Sequence, residues 1–166
     1  MESLNRLSQE SFVQIIGPVF EHSPWIAVAA WVQRPFNGLE TLHSKLCEVV
    51  RSAGAEQQLA LIRAHPDLVG RAALAGTLTP ESTGEQAAAG LGALTPAEIA
   101  MFQKLNGDYR AKFGFPFVIC ARQNKKEAIL KGFQQRLNNS PAQEMPAALE
   151  EIFKIAELRL RDLIPN

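Results

Sequence analysis

An excess of charge of either sign is missing from this sequence. Its 166 residues carry 17 Lys and Arg against 17 Asp and Glu, so nothing in the balance would draw the chain to phosphate backbones or anionic lipid. No nucleic acid and no membrane surface is expected as a partner. Long apolar runs are missing too: Trp25 to Val32, and Phe113 to Ala121 with its Gly and Pro, fall far short of the ~20 residues of a bilayer span. The amino terminus has no basic region, apolar stretch and cleavage site of a secretory signal, and the carboxyl-terminal Ile-Pro-Asn is not a Ser-Lys-Leu peroxisomal address. A cytoplasmic location is the expectation. Cysteine is scarce: Cys47 and Cys120 stand alone without a C-x-x-C and read as reduced, buried small hydrophobes. Gly90-Leu91-Gly92 lacks the further glycine and preceding strand of a dinucleotide fingerprint, and no Gly-Lys-Ser/Thr follows any glycine. A nucleotide cofactor is not indicated.

What remains is 46% apolar and 20% charged, an ordinary globular composition of one domain's size over residues 1–166. Most segments repeat apolar residues every three to four positions, with no sustained alternation, so an all-α fold is expected. A first helix starts at Ser8 and turns Phe12, Ile15, Ile16 and Val19 inward, bent by Gly17-Pro18. A second runs from Ser23-Pro24 to Arg34, a third from Gly38 to Ser52, a fourth from Glu56 to Arg63. Residues 65–92 are punctuated by Pro, Gly, Ser and Thr, the texture of a functional loop region with one or two short helices. Thr95-Pro96-Ala97-Glu98 is a capping box opening a helix to Phe113, and Gly114 ends it. Phe115 to Cys120 is extended and buried because Pro116 removes a donor and biases Phe115 away from helix. Asn124 to Glu127 caps a helix to Leu137, and Ser140 to Gln143 caps a long last one. The expected architecture is a single compact irregular bundle of about seven to eight helices around one core.

Several polar residues are out of place in this pattern. In the last helix Leu149, Ile152, Phe153, Ala156, Leu160 and Leu163 form one apolar stripe, and Arg159 falls on it. Arg161 projects from the opposite face with Glu150 and Glu157 and serves as a control. Arg159 is either a snorkelling or carboxylate-paired arginine or a clamp for an anion or carbonyl. His65 alone among the three histidines sits in the punctuated region, held extended by Pro66. It is a proton carrier near neutral pH or a helix-terminal histidine before a turn. Ser82, Glu85 and Gln86 share a helix face by their spacing, yet Ser82-x-x-Glu85 is equally a capping box. His43 and Cys47 are spaced i, i+4 like two metal ligands, but no further ligand accompanies them and no metal site is expected.

These features coincide in one set: His65-Pro66-Asp67-Leu68, Leu78-Thr79 with Ser82 and Glu85-Gln86, Ala89-Gly90-Leu91, Leu105-Asn106, Tyr109, and Lys112-Phe113-Gly114-Phe115-Pro116-Phe117. Over nearly the whole chain the sequence resembles the 2-oxo-4-hydroxy-4-carboxy-5-ureidoimidazoline (OHCU) decarboxylases of urate breakdown. The resemblance implies an all-helical homodimer without metal or organic cofactor, taking OHCU as its small-molecule substrate and releasing (S)-allantoin. It implies catalytic roles for His65 and Glu85 and substrate contacts from Pro66, Ser82, Gln86 and Arg159. Main-chain amides near Phe117, Val118 and Ile119 would meet the ring carbonyl oxygens. Two other readings remain at this point: a related enzyme acting on another urate-derived ureide, and a non-catalytic helical module docking a partner through residues 65–91.

Overall fold

A computed structural model describes residues 1–164; Pro165 and Asn166, within the carboxyl-terminal tripeptide considered above, lie outside the described residues. The elements in order are α1 (Glu2–Asn5), α2 (Gln9–Ile16), a 3-10 turn (Gly17–Val19), α3 (Trp25–Trp31), α4 (Leu39–Ser52) and α5 (Ala55–Ala64). They continue with α6 (Arg71–Leu74), α7 (Pro80–Ala88), α8 (Pro96–Phe113), a second 3-10 turn (Ala121–Gln123), α9 (Lys126–Arg136) and α10 (Pro141–Leu163). The fold is all-α, with no strand among the described residues. Eight of the helices have seven residues or more, in line with the expected number.

The chain divides into two compact units, one of Met1–Ala64 with the chain from Phe153 onward, the other of His65–Ile152. In the first, Ser8 caps α2 by accepting the Ser11 amide at 3.2 Å, and Pro18, lacking an N–H, forces the helix into the 3-10 turn. Phe12, Ile16, Val19 and Phe20 are fully buried. Ile15 does not join them and stays 42% exposed, because its side of α2 is left incompletely covered by neighbouring chain. α3 packs on both α2 and α4. It stops at Trp31 rather than Arg34, since Arg34 folds back and donates to the Trp31 carbonyl at 2.7 Å, satisfying a helix-end acceptor. On α4, Leu42, Leu46, Cys47 and Val50 supply the buried face.

In the second unit the capping box of α8 forms as read: Thr95 Oγ1 accepts the Glu98 amide at 3.3 Å, and Glu98 Oε2 accepts the Thr95 amide at 2.8 Å. Gly114 ends α8 at φ 76°, a left-handed turn that glycine adopts without a Cβ clash. α9 departs from expectation. Its N-cap is Lys125 with no side-chain bond, because Asn124 donates backward to the Cys120 carbonyl at 2.9 Å. The core gathers aromatics: Phe117 stacks on Phe133 with centroids 3.8 Å apart, and Tyr109 stands edge-on to Phe117 at 5.3 Å. Leu163, read as part of the last inward stripe, is 46% exposed at the final residue of α10, whose fully buried stripe ends at Leu160.

Candidate active site

The loop after α5 is held by side chains rather than by secondary structure. His65 is only 6% exposed, Pro66 is half-buried, and Val69 adopts φ 52°, a left-handed conformation that a β-branched residue takes only under constraint. The constraint is visible. Gln86 Oε1 accepts the buried Val69 amide at 3.1 Å while Gln86 Nε2 reaches the Asp67 carbonyl at 3.4 Å. Asn106 Nδ2 donates to the Leu68 carbonyl at 2.8 Å, and Arg110 Nε donates to both Asp67 carboxylate oxygens at 3.0 and 3.1 Å. Residues 67–69 are thereby fixed on α7 and α8, and His65 is carried on their amino-terminal side.

α7 presents the second set. Thr79, not Ser82, is its N-cap: Thr79 Oγ1 accepts the Ser82 amide at 3.3 Å. Ser82 is therefore inside the helix, and the capping-box explanation of Ser82 and Glu85 falls. Ser82 and Gln86 are buried and Glu85 is half-buried, on the face that meets the His65 loop through Gln86. α7 also packs against the turn Ala121–Gln123, which directly follows the extended stretch from Phe115 to Cys120. Pro66 lines an open hollow of about 1070 Å³ with Asp67, Asn106 and Arg110, but Ser82, Glu85, Gln86 and Phe117 to Ile119 do not line it. That hollow is not where the named residues converge.

The third set is main chain. Phe115 to Val118 are buried and Ile119 half-buried, yet the N–H groups of Phe117, Val118 and Ile119 meet no acceptor among the described residues. Main-chain donors without partners on buried residues are costly and uncommon, so those of Phe117 and Val118, continued by the half-buried Ile119, mark donors suited to an incoming acceptor. Residues that sequence reasoning missed hold this segment. Arg136 Nη1 donates to the Val118 carbonyl at 2.6 Å, and Glu151 accepts the Cys120 amide at 2.8 Å. Arg136 is paired with Glu144 at 2.5 Å, and Glu144, with no exposure, also takes the Tyr109 hydroxyl and Asn139 Nδ2. Burial first, then the bond to Glu144, pushes the Tyr109 phenol far above its ordinary value, so it remains a donor. The only sequence signals were a basic residue in the last turn of α9 and an acidic one in the first turn of α10, which read as complements to helix dipoles.

Arg159 belongs to the other unit. It is 4% exposed, with Nη1 donating to Glu21 Oε2 at 3.0 Å and to the Pro18 carbonyl at 3.3 Å. A carboxylate partner is thus present, and Glu21 was not singled out in the sequence. Arg161, the control, is exposed and pairs with Glu157 one turn away at 2.7 Å. His43 Nε2 donates to the Phe153 carbonyl at 2.9 Å, so that nitrogen carries a proton and is committed to the main chain. Among the described residues no group of three or more His, Cys, Asp or Glu is placed to hold a metal, and no helix is long and apolar enough to cross a membrane.

The family model described as OHCU decarboxylase matches residues 5–161. A relative from Amia calva named 2-oxo-4-hydroxy-4-carboxy-5-ureidoimidazoline decarboxylase is 46% identical over 164 residues, covering 99% of this chain and 94% of the relative. The crystal structure of an (S)-allantoin synthase superposes with a TM-score of 0.78 at 29% identity, over 98% of this chain and 53% of that longer one. A crystal structure of an OHCU decarboxylase determined in the presence of (S)-allantoin has the same fold, with a TM-score of 0.75 at 23% identity over 96% of this chain and 100% of that one.

Proposed function

The chain belongs to the OHCU decarboxylase family, and from that premise we propose that it is a carboxy-lyase converting OHCU to (S)-allantoin in urate degradation. The observation that carries this reading beyond the resemblance is the row of unpartnered amides at the buried Phe117 and Val118 and the half-buried Ile119. Such donors suit the carbonyl oxygens of a planar heterocycle and the negative charge that grows on them as a carboxylate leaves.

The substrate supplies its own electron sink. The bond from the ring to the carboxylate breaks and carbon dioxide departs; the pair left behind forms a double bond to the ureido-bearing carbon, and the displaced carbon–nitrogen π pair passes to the ring nitrogen, which takes up a proton. The hydroxyl then gives up its proton as its carbon becomes the carbonyl, and one proton is delivered to the ureido-bearing carbon. The chemistry therefore calls for no metal or organic cofactor. The protein's tasks are to orient the carboxylate, stabilise the enolate-like charge and deliver one proton to one face. His65 moves the protons, and Glu85 fixes its tautomer and orientation. Ser82 and Gln86 orient the ureido group, Gln86 through the amide hydrogen its loop contacts leave over, and Pro66 bounds the ring. Arg159 matches its planar donors to planar substrate oxygens. We read residues 1–166 as one domain, since the single helix α10 supplies residues to both compact units. We further propose a cytoplasmic homodimer, testable by sedimentation.

The decisive experiment adds the protein to freshly generated urate-oxidation product and follows the circular dichroism of the allantoin formed. Acceleration with one hand in excess is expected, and His65→Ala should lower turnover about 10²- to 10⁴-fold with the fold intact. Racemic allantoin forming at the spontaneous rate would end this reading.

A further inference from the structure

Arg136 divides its guanidinium among a carboxylate, a main-chain carbonyl and, at 3.4 Å, the Tyr109 hydroxyl. One edge meets the fully buried Glu144 carboxylate at 2.5 Å, and Nη1 meets the Val118 carbonyl at 2.6 Å, with the guanidinium carbon 4.5 Å from the Phe117 ring centroid. A trans peptide unit is planar, and its C=O and the following N–H point in opposite directions. Fixing the Val118 oxygen on Arg136 therefore aims the Ile119 N–H away from Arg136, and that N–H has no acceptor among the described residues. Rotation of the plane is opposed from both ends. On one side the Phe117 ring contacts both the Arg136 guanidinium and the Phe133 ring; on the other the Cys120 amide is bound to Glu151. A charge-assisted bond to the carbonyl also polarises the whole peptide unit, and bonds in series strengthen one another by about 10–30%.

We propose that Arg136 is a positioning residue, aiming and polarising the Ile119 amide as a donor to a substrate carbonyl oxygen or the oxyanion it becomes. The proposal rests on the reading that the Phe117–Ile119 amides meet the substrate. Glu144 belongs to the same device, because it orients the guanidinium that grips Val118. Neither residue contacts the ligand in this assignment; both act through the backbone.

The test is an NMR titration of ¹⁵N-labelled protein with (S)-allantoin, alongside kcat and KM for the decarboxylation, in the wild type, Arg136→Gln and Arg136→Lys. In the wild type the Ile119 amide proton should move downfield on saturation. In Arg136→Gln that movement should shrink and kcat/KM should fall about 10-fold or more, less than the roughly 10²- to 10³-fold that outright loss of an oxyanion donor costs, because the amide stays and only its aim and polarity relax. Arg136→Lys, retaining the charge, should recover part of both. A folded Arg136→Gln with the wild-type Ile119 shift and wild-type kcat/KM overturns the proposal and leaves the amide wall standing. A silent Ile119 in the wild type, with other amides responding to allantoin, removes the amide wall and this proposal together. Should Arg136→Gln fail to fold, Glu144→Gln keeps the volume and the arginine and makes the same comparison.

Discussion

Replacing Gln86 with Leu isolates the clamp on the His65 loop. The side chains are close in volume, so little cavity arises, and the change reduces to two lost hydrogen bonds. The bond to the Asp67 carbonyl is long at 3.4 Å, and that carbonyl also accepts the Gly70 amide at 3.3 Å, so its loss costs little. The Val69 amide is different: it is buried, and its acceptor is Gln86 Oε1 at 3.1 Å. Leaving a buried donor unsatisfied costs about 1–3 kcal/mol. The left-handed Val69 backbone stores strain of the same order, about 1–3 kcal/mol, which the clamp opposes. Once the clamp is gone the loop can release that strain by opening, which caps the loss at about 3 kcal/mol and localises the damage. Urea denaturation should show a loss of about 1–3 kcal/mol, and native-state hydrogen exchange should accelerate at Val69 by about tenfold per 1.4 kcal/mol while the α4 core amides slow or quicken only with global stability. Turnover should fall with the fold retained, because His65 leads into the loosened segment. A loss under about 0.5 kcal/mol with unchanged Val69 exchange would refute the clamp, since that is the range of a surface substitution.

Gly70 is required by proximity: a Cβ there would come within 2.6 Å of Asp67 Cβ and 3.1 Å of the Asp67 carbonyl. Gly70→Ala should displace the loop and lower single-turnover kcat by up to about 10²-fold, and an unchanged kcat would show that the loop does not position chemistry. Arg159→Met takes the guanidinium away from the buried Glu21 carboxylate and should cost about 3–5 kcal/mol in denaturation, much of it regained in Glu21→Gln/Arg159→Met. If the regained double variant also binds substrate normally, Arg159 is structural only. Glu98 is held down from the ordinary 4.5 to about 2, first by Lys126 and then by the Thr95 cap. A depressed carboxylate stabilises the fold above its unfolded value, and that contribution is lost as pH falls from 4.5 through about 2. Glu98→Gln should flatten this part of the stability–pH profile; a profile unchanged by the substitution would remove the assignment.

Legibility in the sequence divides along a physical line. The limits of α8 were readable because Thr95, Pro96, Glu98 and Gly114 act on backbone groups within four residues of themselves. Buried Arg159 was detectable for a related reason, a polar residue on an apolar period being a local anomaly, whereas Ser82 and Gln86 showed only a shared helix face that a capping box explained equally well. The partner of Arg159 was not detectable. Glu21 lies 138 positions before Arg159, and nothing in the first helices marks it as the carboxylate that a distant guanidinium needs. Where periodicity was the sole guide, as for Ile15, it overestimated burial, because a stripe predicts a direction and not whether a neighbour arrives to cover it.

The least legible contacts are those from a side chain to distant main chain: Gln86 to Val69, Asn106 to Leu68, Arg136 to Val118. In each, the acceptor or donor is a peptide group that every residue except proline supplies fully, so no choice of amino acid at Val69, Leu68 or Val118 advertises the bond. Only one end is written in the sequence, and that end is ambiguous: an arginine closing α9 looks like a complement to the helix dipole until the carbonyl it holds is located. The same property makes such bonds suited to shaping a site of backbone donors. A side chain gripping one face of a peptide plane orients the N–H on the other without placing a charged group against the ligand, so its substitution should change how well the substrate oxygen is met before it changes what the site admits.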